Sequence, residues 1–76
     1  MPSTTQTRLG CEIRAYRIRH NMNQGQFGNL CGVTRATVHR WESEAVRPSV
    51  GAMVRLSEIL GEPLAVLFDK AGKSAV

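Results

Sequence analysis

The run from Gly32 to Glu42, GVTRATVHRWE, holds two arginines and a histidine and contains no acid before its last residue. If the run is helical, Arg35, Ala36, His39 and Arg40 lie on one side. An arginine can donate two parallel hydrogen bonds to a guanine edge or a phosphate, which lysine cannot do. Ala36 is small enough for close approach and can touch a thymine methyl group. These residue types and spacings are typical of nucleic-acid recognition.

The positive charge of the chain is unevenly placed. The formal net charge is +4 and the pI is about 9.8. Residues 1–47 contain seven arginines and three glutamates, whereas residues 48–76 contain three basic and three acidic side chains. A basic half of this kind favours a polyanionic partner, either nucleic acid or a membrane surface. The alternative is that the charge serves solubility alone.

Other chemistries fit the sequence poorly. Cys11, His20, Cys31 and His39 lack the closely spaced ligand pairs of a zinc site. A Cys–His nucleophile also needs a pocket and an orienting group, which a chain of 76 residues rarely provides. We therefore expect no metal, no cofactor and no enzymatic activity. Two cysteines, no membrane-length apolar run and no signal peptide predict a cytoplasmic protein.

Apolar spacing and capping residues predict five helices and no strand. The expected helices cover about residues 8–20, 24–31, 35–43 and 50–60, with a short fifth beginning at Pro63. The predicted N-caps are Asn23, Thr34 and Ser49, and Asn21 and Gly32 suit left-handed helix ends. We expect a flexible N-terminus at 1–7, one domain at 8–69 and a flexible tail at 70–76.

The buried face of each helix is predicted by its spacing. For the first helix two stripes compete: Leu9, Ile13, Tyr16 and His20 against Cys11, Ala15, Ile18 and Met22. Gly25 and Gly28 should each weaken the second helix by about 1 kcal/mol relative to alanine. The residues expected to face inward from the second and third helices are Phe27, Leu30, Cys31, Val38 and Trp41. Apolar residues at helical spacing follow on the fourth helix, at Val50, Met53, Leu56 and Leu60, and one face of the fifth is made by Leu64, Leu67 and Phe68.

The second and third helices are joined by a tight turn at Gly32, which is the pattern of a helix-turn-helix. Residues 9–68 resemble the lambda-repressor/Cro-like, or xenobiotic-response-element, family of helix-turn-helix proteins. The resemblance rests on ordered elements: Leu9-Gly10, Ile13, Arg17, Met22-Asn23-Gln24, Gly32-Val33-Thr34-Arg35, Val38, Arg40-Trp41-Glu42, Arg47-Pro48-Ser49 and residues 56–61. It implies an all-α, five-helix lambda-repressor-like DNA-binding domain.

The resemblance also implies roles for individual residues. Arg35, Ala36 and Arg40 would read bases, with His39 as a fourth. Gln24 would contact the DNA backbone, and Arg47 would either lie along a phosphate or enter the minor groove. Arg17 and Glu42 would form a structural ion pair between the first and third helices. Further candidates for backbone contact are Asn23, Thr34, Thr37 and Ser43.

The function implied is a sequence-specific regulator of transcription that binds double-stranded DNA, a repressor or autoregulator of phage or bacterial origin. It would bind an inverted repeat as a homodimer. The first candidate for the dimer surface is the fifth helix, with Leu64, Val66, Leu67 and Phe68. The alternative is a protein-interaction module, such as the antitoxin of a toxin–antitoxin pair, with a toxin as its partner. An RNA binder would need exposed stacking aromatics, which the sequence lacks.

Overall fold

The computed structural model describes residues 8–73, and the side chains of residues 8–71. The predicted flexible segment 1–7 and the last three residues of the predicted tail lie outside this range. Within it the chain forms five helices and no strand, which confirms the predicted all-α fold. The helices are α1 (Leu9–Arg19), α2 (Gln24–Cys31), α3 (Arg35–Glu42), α4 (Val50–Leu60) and α5 (Leu64–Lys73).

Local side-chain chemistry sets the ends of the middle helices. Asn23 begins α2 with a capping box: its side chain accepts from Gln26 N, and the Gln26 side chain accepts from Asn23 N, both at 2.8 Å. Thr34 caps α3. Asn21 and Gly32 adopt left-handed backbone angles, with φ of 59° and 78°. The left-handed Gly32 therefore ends α2 and the capping Thr34 begins α3, so only residues 32–34 separate the two helices.

The core draws on all five helices, and its buried apolar side chains are Leu9, Ile13, Phe27, Val38, Trp41, Met53, Leu56, Leu67 and Ala71. They decide between the two stripes of α1. The first stripe faces inward through Leu9 and Ile13, and the Tyr16 ring packs edge-on against Phe27 with centroids 5.8 Å apart. Ile18, on the second stripe, is 61% exposed.

Leu30, which was expected to face inward, is instead exposed, and so are Val50 and Phe68 from the apolar faces of α4 and α5. For Leu30 the reason is the packing of its neighbour Gly28. A Cβ atom at Gly28 would lie 2.6 Å from the carbonyl oxygen of Val33, so the α2 backbone presses directly on the turn before α3. This close approach turns α2 so that Phe27 and Gly28 face inward and Leu30 points away. Gly28, which the sequence analysis treated as a weakness, is the contact point of the motif.

Helix α5 is longer than predicted. The boundary placed between residues 69 and 70 falls inside the helix, which continues to Lys73. Two contacts explain the extension. Ala71 is buried in the core, and Lys70 Nζ lies 3.1 Å from Glu12 Oε2 and 3.0 Å from Glu62 Oε1. The start of the predicted tail is therefore part of the folded domain.

Candidate nucleic-acid interface

Helix α3 presents opposite chemistry on its two sides. Val38 is fully buried and Trp41 is 5% exposed, and these two side chains anchor the helix to the core. The four predicted base-reading residues point the other way, and all are exposed: Arg35, Ala36, His39 and Arg40. With spacing i, i+1, i+4 and i+5, they form one continuous strip of cationic, polar and small side chains.

The strip forms the wall of a shallow concavity of about 430 Å³. Its lining is Gln24, Arg35, Ala36, His39 and Arg40. Gln24 comes from the first residue of α2, so the concavity spans the helix-turn-helix. The structure thus brings the four predicted base-reading residues together with one predicted backbone-contact residue.

The smaller predicted backbone-contact residues all take part in local hydrogen bonds. Asn23 Oδ1 is occupied by the cap of α2. Thr34 Oγ1 accepts from Thr37 N at 3.2 Å and lies 3.1 Å from Thr37 Oγ1. Ser43 Oγ donates to the carbonyl oxygen of Arg40 at 3.2 Å. These side chains hold the ends of α2 and α3. Asn23, Thr34 and Ser43 are exposed and so also open to a ligand, whereas Thr37 is half-buried.

Arg47 lies apart from this cluster. It is exposed in the segment before α4 and borders a separate small concavity with Leu9, Trp41 and Pro48. A contact by Arg47 would therefore be made from a different edge of the surface than contacts by α3.

The predicted partners Arg17 and Glu42 lie next to each other. Arg17 Nε donates to Glu42 Oε2 at 2.6 Å, and Arg17 Nη2 donates to Glu42 Oε1 at 2.9 Å. The side chains are only 15% and 9% exposed. The hydrogen bond with Glu42 raises the pKa of the Arg17 guanidinium above its ordinary value, against a smaller opposing effect of burial. Arg17 therefore stays protonated, and its positive charge offsets the negative charge of Glu42.

One cationic residue of this surface was missed by the sequence analysis. Arg14 is exposed and lines a second concavity, of about 350 Å³, beside the first. It shares that lining with Gln24, His39 and Ser43 among others. The available signal was its spacing: Arg14 lies one helical turn before Arg17 on α1.

The four residues suggested for a dimer surface do not share one face. Leu67 is fully buried in the monomer, so it belongs to the core and not to a dimer surface. Leu64 is half-buried and packs against the core. Val66 and Phe68 are 39% and 44% exposed, but two residues apart on a helix they point to nearly opposite sides. The surface of α5 thus offers two small apolar sites.

Within residues 8–73, no helix is both long and apolar enough to cross a membrane. Among the described side chains, no group of three His, Cys, Asp or Glu residues is arranged as a metal site would require.

Comparisons with known proteins identify the class to which this fold and surface belong. The profile of the helix-turn-helix family matches residues 13–67. The chain therefore belongs to the lambda-repressor/Cro-like helix-turn-helix family.

Two particular proteins resemble it. A crystal structure of the P22 c2 repressor in complex with synthetic operator 9T, in the presence of Tl⁺, aligns with a TM-score of 0.71. The two chains are 26% identical, and the alignment covers 80% of this chain and 92% of that one. A protein of Methanocella arvoryzae, provisionally named as an HTH-type transcriptional regulatory protein, is 31% identical over 72 residues. That match covers 87% of this chain and 22% of the relative's length.

Proposed function

We propose that this protein regulates transcription by binding specific double-stranded DNA sequences with the exposed side of α3. The observation that carries the proposal is the shared concavity of Gln24, Arg35, Ala36, His39 and Arg40. It joins arginine side chains of a type that can read guanine, a small residue and the start of α2 on one surface. The likeness to a repressor described in complex with an operator supports the same function.

The charge of the surface also fits DNA. Arg14, Arg35, Arg40 and Arg47 are all exposed. The nearby acids are engaged elsewhere: Glu42 binds Arg17, and Glu44 Oε2 accepts from Gly10 N at 3.2 Å. Exposed arginines attract phosphate at long range, and engaged carboxylates oppose them less. Arg35 and Arg40 would then both attract DNA and read its bases, while Arg14 and Arg47 would contact its backbone.

In our proposal the protein acts as a repressor or autoregulator and binds an inverted repeat as a homodimer. A two-fold axis would place the two α3 helices about 34 Å apart, one turn of DNA. Phe68 and Val66 are the exposed apolar residues of α5 available for the contact between subunits. Substituting each separately with aspartate should identify the side used: one variant becomes monomeric in sedimentation, and the other does not.

Selection from a pool of randomised duplexes tests the proposal, with the affinity of the winning sequence followed against salt. We expect an enriched inverted repeat that Arg35→Ala and Arg40→Ala bind weakly and Arg19→Ala binds normally. Arg19 is a matched control, because it is an exposed arginine at the end of α1 and outside both concavities. Salt-dependent binding without any enriched sequence would contradict specific readout. No binding at all would favour the protein-interaction alternative.

A further inference from the structure

The Glu42 carboxylate accepts a third hydrogen bond in addition to the two from Arg17. Gln24 Nε2 donates to Glu42 Oε1 at 3.2 Å. The carboxylate therefore joins Arg17 of α1, Gln24 of α2 and its own helix α3. Arg17 in turn donates from Nη1 to the carbonyl oxygen of Met22 at 3.1 Å, in the turn just before α2. This network lies at the edge of the surface proposed to contact DNA.

The bond to Glu42 fixes which way the Gln24 amide faces. A glutamine amide nitrogen carries two hydrogens that diverge in one plane. With one hydrogen directed to Glu42, the other points away from the carboxylate. Gln24 also lines both concavities of the surface. Gln24 thus offers a hydrogen-bond donor at the edge of this surface, and Glu42 holds its amide in place.

Electrostatics explains why an acid is tolerated so close to the surface. A lone carboxylate would repel a DNA phosphate at short range. Here Arg17 binds both carboxylate oxygens, and Glu42 is only 9% exposed, so the pair presents little net charge. Glu42 can then accept a hydrogen bond from Gln24 without opposing the DNA. Arg17 serves the site through Glu42, since its Nε and Nη2 atoms donate to Glu42 and its Nη1 atom donates to the carbonyl oxygen of Met22.

We infer that Glu42, neutralised by Arg17, is a positioning residue that orients the Gln24 amide to donate to one particular backbone phosphate. The inference rests on the proposed function and adds a role to a residue otherwise assigned to the fold alone. A long flexible side chain that is oriented before binding loses less rotational freedom when the complex forms. Releasing Gln24 from Glu42 should therefore weaken this one contact and leave the others intact.

The test uses the duplex selected above, with a neutral methylphosphonate placed at each backbone position in turn. For the unsubstituted protein, neutralising the phosphate bound by Gln24 should reduce affinity about three- to tenfold. Gln24→Ala should be insensitive at that same position. Glu42→Asp keeps the charge for Arg17 but withdraws the carboxylate by one methylene. We expect its sensitivity at that position to fall below about twofold, with other positions unchanged.

Glu12→Gln is the matched control, since it also alters a glutamate in an ion pair of α1, on the side facing Lys70. It should keep the full sensitivity. The inference is overturned if Glu42→Asp keeps it too, or if Gln24→Ala changes the response at no position.

If Glu42→Asp does not unfold cooperatively, NMR of the unsubstituted protein decides. One Gln24 amide proton should shift on DNA binding while the other keeps its position, and movement of both would overturn the inference. Failure of the proposed function is seen earlier, as a protein that selects no duplex.

Discussion

Arg17 and Glu42 are 25 residues apart in the sequence, yet their side chains meet at two points, with N–O distances of 2.6 and 2.9 Å. The pair ties the scaffold helix α1 to the last residue of α3. Because α2 lies between them in the chain, the pair closes the helix-turn-helix onto the rest of the bundle. Its low exposure means that neither charge can be hydrated well if the other is removed.

Replacing Arg17 with methionine should lower the free energy of unfolding by about 2–3 kcal/mol, because the partly buried Glu42 carboxylate loses its counter-charge and keeps only the hydrogen bond from Gln24. For a domain of this size, that loss corresponds to a fall in Tm of roughly 10–20 °C. Thermal unfolding followed by circular dichroism measures it. Arg19→Ala, in the same turn of α1 but exposed, should change stability by less than about 0.5 kcal/mol. Equal effects of the two variants would contradict the assigned role of the pair.

Two glycines in helices should respond to alanine in opposite directions. Gly28→Ala should destabilise the fold by about 1–3 kcal/mol, since its Cβ would meet the Val33 backbone at 2.6 Å. Gly51→Ala should stabilise it by about 0.5 kcal/mol, because the added Cβ would meet no atom within 4 Å beyond its own stretch of helix, and alanine favours a helix. Urea unfolding of both variants tests the pair. A stabilised Gly28→Ala would show that α2 does not press on the turn as described.

The helix boundaries near the motif were predictable because their causes are local. Asn23, Thr34 and Ser49 are capping residues whose hydrogen bonds reach only three residues along the chain. The outward rotation of Leu30 was not predictable in this way. It follows from contact between Gly28 and the turn before α3, which exists only after the two helices pack. The start of α5, residues 64–69, was within reach of spacing rules, but the turn containing Lys70 depends on Glu12, far away in the chain.

The candidate site likewise has a part that was predictable from the sequence and a part that depends on packing. The exposed strip of α3 follows from the phase of Val38 and Trp41, which the sequence contains. The hydrogen bond from Gln24 to Glu42 joins residues 18 apart and requires the assembled motif. Arg14 was overlooked for a similar reason. Its helix is outside the helix-turn-helix, and only the packing of α1 brings it beside His39 and Ser43.

Arg40→Lys separates base reading from charge. Lysine keeps the positive charge but cannot make two parallel hydrogen bonds to guanine. We expect a loss of about 1–3 kcal/mol in discrimination at one base pair of the selected duplex. The dependence of affinity on salt should stay the same. Competition binding with each single base change measures the discrimination. If Arg40→Lys instead weakens binding equally for the selected duplex and for every single-base variant, Arg40 contacts phosphate and not a base.

Arg14→Ala should have the complementary effect. Arg14 is exposed beside the base-reading strip but outside the first concavity, so we expect it to contact phosphate. Binding should weaken equally for the best duplex and its single-base variants, and the salt slope should fall by about one phosphate contact. Titration at several salt concentrations measures both quantities. A changed preference among bases would contradict this assignment, and an unchanged slope would place Arg14 outside the interface.

The two cysteines lie in different surroundings. Burial raises the pKa of the Cys31 thiol to about 11, against a smaller lowering effect of Arg55, from an ordinary value of 9.0. Cys11 is exposed.

The same shift couples Cys31 to stability. Because its folded-state pKa lies above the unfolded value, the unfolded chain releases the thiol proton first as pH rises. The contribution of Cys31 is complete below about pH 9 and is lost as pH rises through about 11. Urea unfolding at pH 7.5 and 10.5, compared with Cys31→Val, isolates this effect from other titrating groups. If the two proteins lose stability equally between these pH values, Cys31 is more hydrated in the folded state than its half-buried position indicates.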